Sequence, residues 1–183
     1  AGFYCHPGVG MDKFSSKNFT TPQPCFESMY CPEGSADPVG AGECPPGYYC
    51  QFLGATPQPA PPGSYAFGTG NTAPEFCKPG TYNPDWGMNL CRLCDAGYYC
   101  PDYNMTTIVP CPAGKICLIG FSVATLNCVP GHYCLEGTST NDPSAAVSTK
   151  PIACRNGTYC LDGIKQEEPV EGDLQTPTNC TGG

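Results

Sequence analysis

Apolar positions in this chain fall in short clusters, an aromatic residue beside a cysteine, framed again and again by glycine, proline and polar residues. The fullest cluster is Cys44-Pro45-Pro46-Gly47-Tyr48-Tyr49-Cys50. Aligned on its first cysteine, the glycine three places on, the aromatic five on and the cysteine six on, related segments begin at Cys25, Cys77, Cys94, Cys111, Cys128 and Cys154. Another lies at Ala60-Pro61-Pro62-Gly63-Ser64-Tyr65-Ala66, which keeps the glycine and tyrosine and has alanine at both cysteine positions. From Gly47 the glycines fall at 63, 80, 97, 114 and 131, a spacing of 16 once and 17 four times, which marks an internal repeat.

Within the cluster, Pro46-Gly47 suits the two central positions of a type II turn: proline pre-sets φ and glycine accepts the positive φ that follows. Because glycine and proline interrupt the chain so often, the expected elements are turns, two-residue bridges and small hairpins, with no long helix. Residues 144–148 are expected to form a helical turn, and 12–18 another. Two proline-rich stretches, 20–24 and 56–62, read as polyproline II segments or stiff linkers between units. The fold class is therefore one of small disulfide-rich repeats, extended as a rod or solenoid with little regular secondary structure.

Composition explains why such a chain needs cross-links. Sixteen cysteines, 23 glycines and 22 prolines leave few aliphatic side chains for a contiguous core. So many cysteines, even in number, suit a closed disulfide set in an oxidising environment. Four divisions are expected. Residues 1–24 form a half-unit and a proline-containing lead-in, and 25–43 a variant repeat with Ser28 in place of the glycine. Residues 44–143 carry the regular repeats, starting at 44, 60, 77, 94, 111 and 128, and 144–183 carry longer variants ending in a half-unit. Half-units at both ends imply a chain cut from a longer array or ends that meet neighbouring copies.

A turn at each Pro-Gly brings its flanking cysteines within disulfide reach. Pairing within units then gives Cys25–Cys31, Cys44–Cys50, Cys94–Cys100, Cys111–Cys117, Cys128–Cys134 and Cys154–Cys160, with Cys77–Cys91 closing a longer loop around Trp86. The joint loss of both cysteines in the Ala60 unit favours this scheme. It leaves Cys5 and Cys180 for bonds between subunits or to a continuation. A rival ladder joins the second cysteine of one unit to the first of the next, as Cys100 to Cys111 and Cys117 to Cys128. Tyr30, Tyr49, Tyr65, Tyr82, Tyr99, Ile116, Tyr133 and Tyr159, beside the second cysteines, are the expected stacking plates between units.

A net charge of −8 with only eight Lys plus Arg argues against nucleic acid as a partner. No apolar run is long enough to span a bilayer. Asn18, Asn104, Asn156 and Asn179 each head an Asn-X-Thr acceptor sequence, where chance would supply about one. They point to covalent N-glycans and the secretory pathway.

The run Cys77-Lys78-Pro79-Gly80-Thr81-Tyr82, followed by Cys91-Arg92-Leu93-Cys94 and Ala96-Gly97-Tyr98-Tyr99, resembles the ephrin-receptor-like cysteine-rich repeat. That module is similar in style to the repeats of tumour necrosis factor receptors and occurs in extracellular proteins, including protist surface proteins. The resemblance implies an extended, disulfide-stapled extracellular array, and it supports the family's connectivity for Cys77 and Cys91 alone. It departs from the family in the six-residue cysteine spacing, at Ala60 and Ala66, and at Ser28.

Chemistry is weakly signalled. Cys91-x-x-Cys94 could be a redox pair or half of a zinc site with His132, but neither the surrounding fold pattern nor a second ligand pair supports it. Glu33, Asp102, Glu136 and Asp162 recur two residues after second cysteines, a position read as turn chemistry rather than calcium ligation. No catalytic residue, metal or cofactor is expected, and the chain is not read as an enzyme. The leading reading is an extracellular structural glycoprotein whose repeats stack head to tail into a filament, appendage or coat, with itself as partner. The alternative is a receptor-ectodomain or adhesion module contacting a protein ligand through Phe14, Phe19, Phe67, Trp86 and Phe121.

Overall fold

The computed structural model describes residues 3–4, 23–37, 39–51, 56–154, 158–159 and 178–179. Each repeat begins with its turn. Tyr48 N–H donates to Pro45 C=O at 3.1 Å, and the equivalent bond recurs as Ser64 to Pro61, Thr81 to Lys78, Tyr98 to Asp95, Lys115 to Pro112 and His132 to Val129. The turn glycines at 47, 63, 80, 97, 114 and 131 have φ between 74° and 88°, as the third position of a type II turn requires. Ser28 takes the same conformation at φ 70°, so the turn survives the missing glycine.

The two residues after each turn form a strand, and its partner is the pair just before the next repeat's first cysteine position. Thus Tyr48–Tyr49 pairs with Gln58–Pro59, Ser64–Tyr65 with Glu75–Phe76, and Thr81–Tyr82 with Arg92–Leu93. Tyr98–Tyr99 pairs with Val109–Pro110, Lys115–Ile116 with Leu126–Asn127, and His132–Tyr133 with Ile152–Ala153. Met29–Tyr30 pairs with Gly42–Glu43, Phe3–Tyr4 with Gln23–Pro24, and Thr158–Tyr159 with Thr178–Asn179. All of these pairs are antiparallel and two residues deep, and no helix occurs among the described residues. The architecture is a series of small disulfide-stapled hairpin repeats.

Two sequence expectations are corrected here. Within the proline-rich stretches, Gln23–Pro24 and Gln58–Pro59 are strands rather than polyproline II or linker, while 20–22 lie outside the described residues. Ala60 N–H donates to Gly47 C=O, so Tyr48 and Pro59 form the adjacent non-hydrogen-bonded pair. A proline there loses no ladder bond, since its nitrogen points away from the partner strand. The expected helical turn at 144–148 is a turn followed by bends. The Asp142 carboxylate accepts from both Ser144 N–H (2.8 Å) and Ser144 Oγ (2.6 Å), which holds its carboxyl below the usual carboxylate range. The backbone bond there is Ala145 N–H to Asp142 C=O at 3.2 Å, which closes a single turn. The segment expected at 12–18 lies outside the described residues.

The interior is made of cystines. Cys31, Cys44, Cys50, Cys77, Cys94, Cys100, Cys111, Cys117 and Cys134 have no exposed surface, and Ala60 and Ala66 take the same buried positions in their repeat. By contacts the chain forms two units, Ala1–Cys77 with Asn83–Cys91, and Lys78–Tyr82 with Arg92–Gly183.

Candidate functional site: the contact between successive repeats

Chemistry that could build an array sits where one repeat meets the next, and the backbone supplies most of it. In the first unit, Gly47 N–H donates to Ala66 C=O (2.9 Å) and Gly63 N–H to Asn83 C=O (2.7 Å). In the second, Gly80, Gly97 and Gly114 donate to the carbonyls of Cys100, Cys117 and Cys134 at 2.7 to 2.8 Å. Each of these five turn glycines therefore bonds the second cysteine position of the following repeat.

Two further bonds complete the joint. The second cysteine position donates forward into the next repeat's loop, as Cys50 to Asn71, Ala66 to Met88, Cys100 to Phe121 and Cys117 to Thr138. A loop glycine donates back to the previous first position: Gly70 to Cys44, Gly87 to Ala60, Gly120 to Cys94 and Gly137 to Cys111, each at 2.8 Å. These groups are main-chain atoms, which explains why the joint persists where the cysteines are replaced by alanine. Asn104 holds the corresponding loop position in its own repeat with φ 60°, a left-handed conformation that asparagine tolerates.

Contacts also reach two repeats along. A Cβ added to Gly80 would lie 2.6 Å from Gly120 O, one added to Gly97 would lie 2.5 Å from Gly137 O, and one added to Gly47 would overlap Gly87 O. Gly47, Gly80 and Gly97 are thus fixed by close approach as well as by their positive φ.

Disulfides join Cys25–Cys31, Cys44–Cys50, Cys94–Cys100, Cys111–Cys117 and Cys128–Cys134 across six residues, with Cα atoms 5.6 to 6.4 Å apart. Cys77–Cys91 spans 14 residues at 5.7 Å. Every one of these bonds lies within a repeat, so the rival ladder between repeats is absent among the described residues. Cys91 and Cys94 are bonded to different partners, and Cys128 and Cys134 to each other, so neither pair offers free thiolates to a redox reaction or a metal. His132 Nδ1 lies 3.1 Å from Pro130 O. Cys154 is also disulfide-bonded, while Cys5, Cys160 and Cys180 lie outside the described residues.

Asn83 takes the second cysteine position of the Cys77 repeat and is wholly buried. Its Nδ2 donates to Ser64 O at 2.6 Å, and its Oδ1 accepts from Asp85 N–H at 3.2 Å. It does by hydrogen bonding what a cystine does elsewhere. Asn83→Ala leaves the Ser64 carbonyl without this donor and is expected to cost about 2 kcal/mol, read as an earlier chemical-denaturation midpoint with disulfides intact.

Of the expected stacking residues, Ile116 is fully buried and packs against the Cys128–Cys134 cystine of the following repeat, with Leu118 and Val129 beside it. Tyr30, Tyr49, Tyr65, Tyr82, Tyr99 and Tyr133 are half-buried, and Tyr159 is described only as a strand residue. The Tyr65 hydroxyl donates to Glu75 at 2.6 Å across its hairpin, and this bond raises the phenol above its ordinary pKa. With the folded value raised, the contribution is complete below pH 10 and is lost as pH climbs through the raised value. Glu75→Gln should return the Tyr65 midpoint towards that of free tyrosine in a 13C-tyrosine NMR titration.

Phe67 and Trp86 are each 65% exposed, and Phe121 is half-buried, its carbonyl serving the joint. Phe14 and Phe19 lie outside the described residues. Of the glycosylation acceptors, Asn104 is exposed in its loop and Asn179 lies in a strand opposite Thr158, while Asn18 and Asn156 lie outside the described residues. Glu33, Asp102 and Glu136 are exposed, Asp162 lies outside, and no cluster of metal-ligating side chains occurs among the described residues. No helix there is long and apolar enough to cross a membrane.

The repeat-to-repeat bonds were not visible in the sequence, because main-chain donors carry no residue signature. The loop glycines at 70, 87, 120 and 137 were the available signal, each following its second cysteine position by three or four residues. No protein-family model matches the chain, and no curated protein matches it.

Proposed function

We propose that this chain is an extracellular structural glycoprotein of the ephrin-receptor-like style, whose repeats extend an array by end-to-end association of copies. The observation that carries the reading is the recurring three-bond joint between successive repeats. Its donors and acceptors are main-chain groups at the same places in the four joints 44/60, 60/77, 94/111 and 111/128, so a terminal repeat of such an array would present the same groups to a further copy. The buried cystines support folding in an oxidising compartment, where they persist.

The test is electron microscopy and light scattering of the glycosylated protein under non-reducing conditions. Linear assemblies with a fixed axial repeat support the reading, and a concentration-independent monomer rejects it. Glycosidase treatment followed by peptide mass spectrometry should place a glycan at Asn104. The exposed Phe67 and Trp86 favour a second reading, a module that binds a protein ligand. Under it, Phe67→Ala and Trp86→Ala abolish ligand capture and leave assembly unaffected.

A further inference from the structure

Five of the six disulfides with both halves described have both cysteines buried, at 5% exposure or less, and one does not: Cys77 is buried and Cys91 is only half-buried. The same bond stands in a sparsely cross-linked stretch. The preceding repeat has Ala60 and Ala66 at its cysteine positions, and between Cys50 and Cys94 the sequence holds no cysteine other than 77 and 91. Cys77–Cys91 is therefore the sole covalent staple over that stretch.

Its loop is otherwise held to the Ala60 repeat by separate hydrogen bonds. Gly87 N–H reaches Ala60 O, Met88 O accepts from Ala66 N–H, and Asn83 is tied to Gly63 and Ser64. All of these residues belong to the first unit.

We propose that Cys77–Cys91 is a reductively opened release point that frees the loop 83–91, with Trp86 on it, while the buried cystines stay closed. The reductant is a dithiol. One of its thiolates attacks Cys91 Sγ, the Cys77–Cys91 bond breaks, and Cys77 leaves as a thiolate that takes up a proton. The second thiol of the reductant then attacks the mixed disulfide, releasing Cys91 as a thiol and closing the reductant into its own disulfide. Two electrons pass from the dithiol to the cystine, and the balance is complete. Exchange selects the less buried cysteine because its rate depends on access, and the loop then loses its one covalent tie.

The test is a dithiothreitol titration of the intact protein, quenched with iodoacetamide and read by peptide mass spectrometry. Cys77 and Cys91 should be alkylated at about tenfold lower reductant than the cysteines of the five buried cystines. The fluorescence of Trp86, the single tryptophan, should change in the same step, with a new protease-sensitive site opening between Cys50 and Cys94. A Cys77→Ser/Cys91→Ser double variant should show that protease site without reductant, its remaining disulfides intact. Simultaneous opening of all the cystines, or earlier alkylation of a buried pair, overturns the proposal. So does first opening of Cys77–Cys91 with no new cleavage. The proposal is independent of end-to-end assembly, which the titration does not read.

Discussion

Gly97→Ala should destabilise its part of the array by about 3 kcal/mol, a large effect for a single substitution that removes no cross-link. Two costs add at this position. With φ at 88° an alanine is held in a conformation that disfavours L side chains by about 1 to 2 kcal/mol. Its methyl group would also stand 2.5 Å from the carbonyl oxygen of Gly137, a main-chain atom fixed by the bond from Gly137 N–H to Cys111 O. Relief requires moving a repeat, not a side chain.

Gly131→Ala is the control. Its φ of 74° is also positive, yet among the described residues nothing lies within 4 Å of the added carbon, so the conformational cost of about 1 kcal/mol is what is expected. Native-state hydrogen exchange with the disulfides intact resolves the two, because a repeat array need not unfold as one cooperative unit. Equal protection losses in both variants would show that the approach of alternate repeats contributes nothing.

The second large effect concerns the staples, and the protein holds its own control for it. Replacing Cys111 and Cys117 together with alanine copies what the Ala60 repeat already does with two buried alanines. The fold should persist and lose about 2 kcal/mol, the loop-closure entropy of so short a ring. Conversely, Ala60→Cys/Ala66→Cys should close a new disulfide and gain a similar amount. Thermal midpoints with and without reductant measure both. If the paired alanine variant unfolds outright, the main-chain joint is not sufficient to hold a repeat.

Much of the repeat was legible in the residues. The Pro-Gly turn follows from the fixed φ of proline and the freedom of glycine, and Ser28 at φ 70° shows the turn outlasting its preferred residue. Pairing within repeats was favoured by the coupled loss at Ala60 and Ala66, and the six described bonds lie within repeats. What misled was proline. Gln58–Pro59 looked like a linker, because composition does not reveal that its partner Tyr48 sits at a position needing no donor from Pro59.

The sequence by itself determined the period, the turns, the absence of long helices and the need for cross-links. Those depend on local backbone preference and on a shortage of aliphatic side chains, which neighbouring residues already express. Only the tertiary structure decided how repeats hold one another. The three-bond joint is built from N–H and C=O groups that every residue carries, so no spelling of side chains announces it. The same holds for Asn83, whose buried amide answers Ser64 nineteen residues earlier, and for the incomplete burial of Cys91. Each is a property of what lies next to a residue in space, where sequence distance gives no guide.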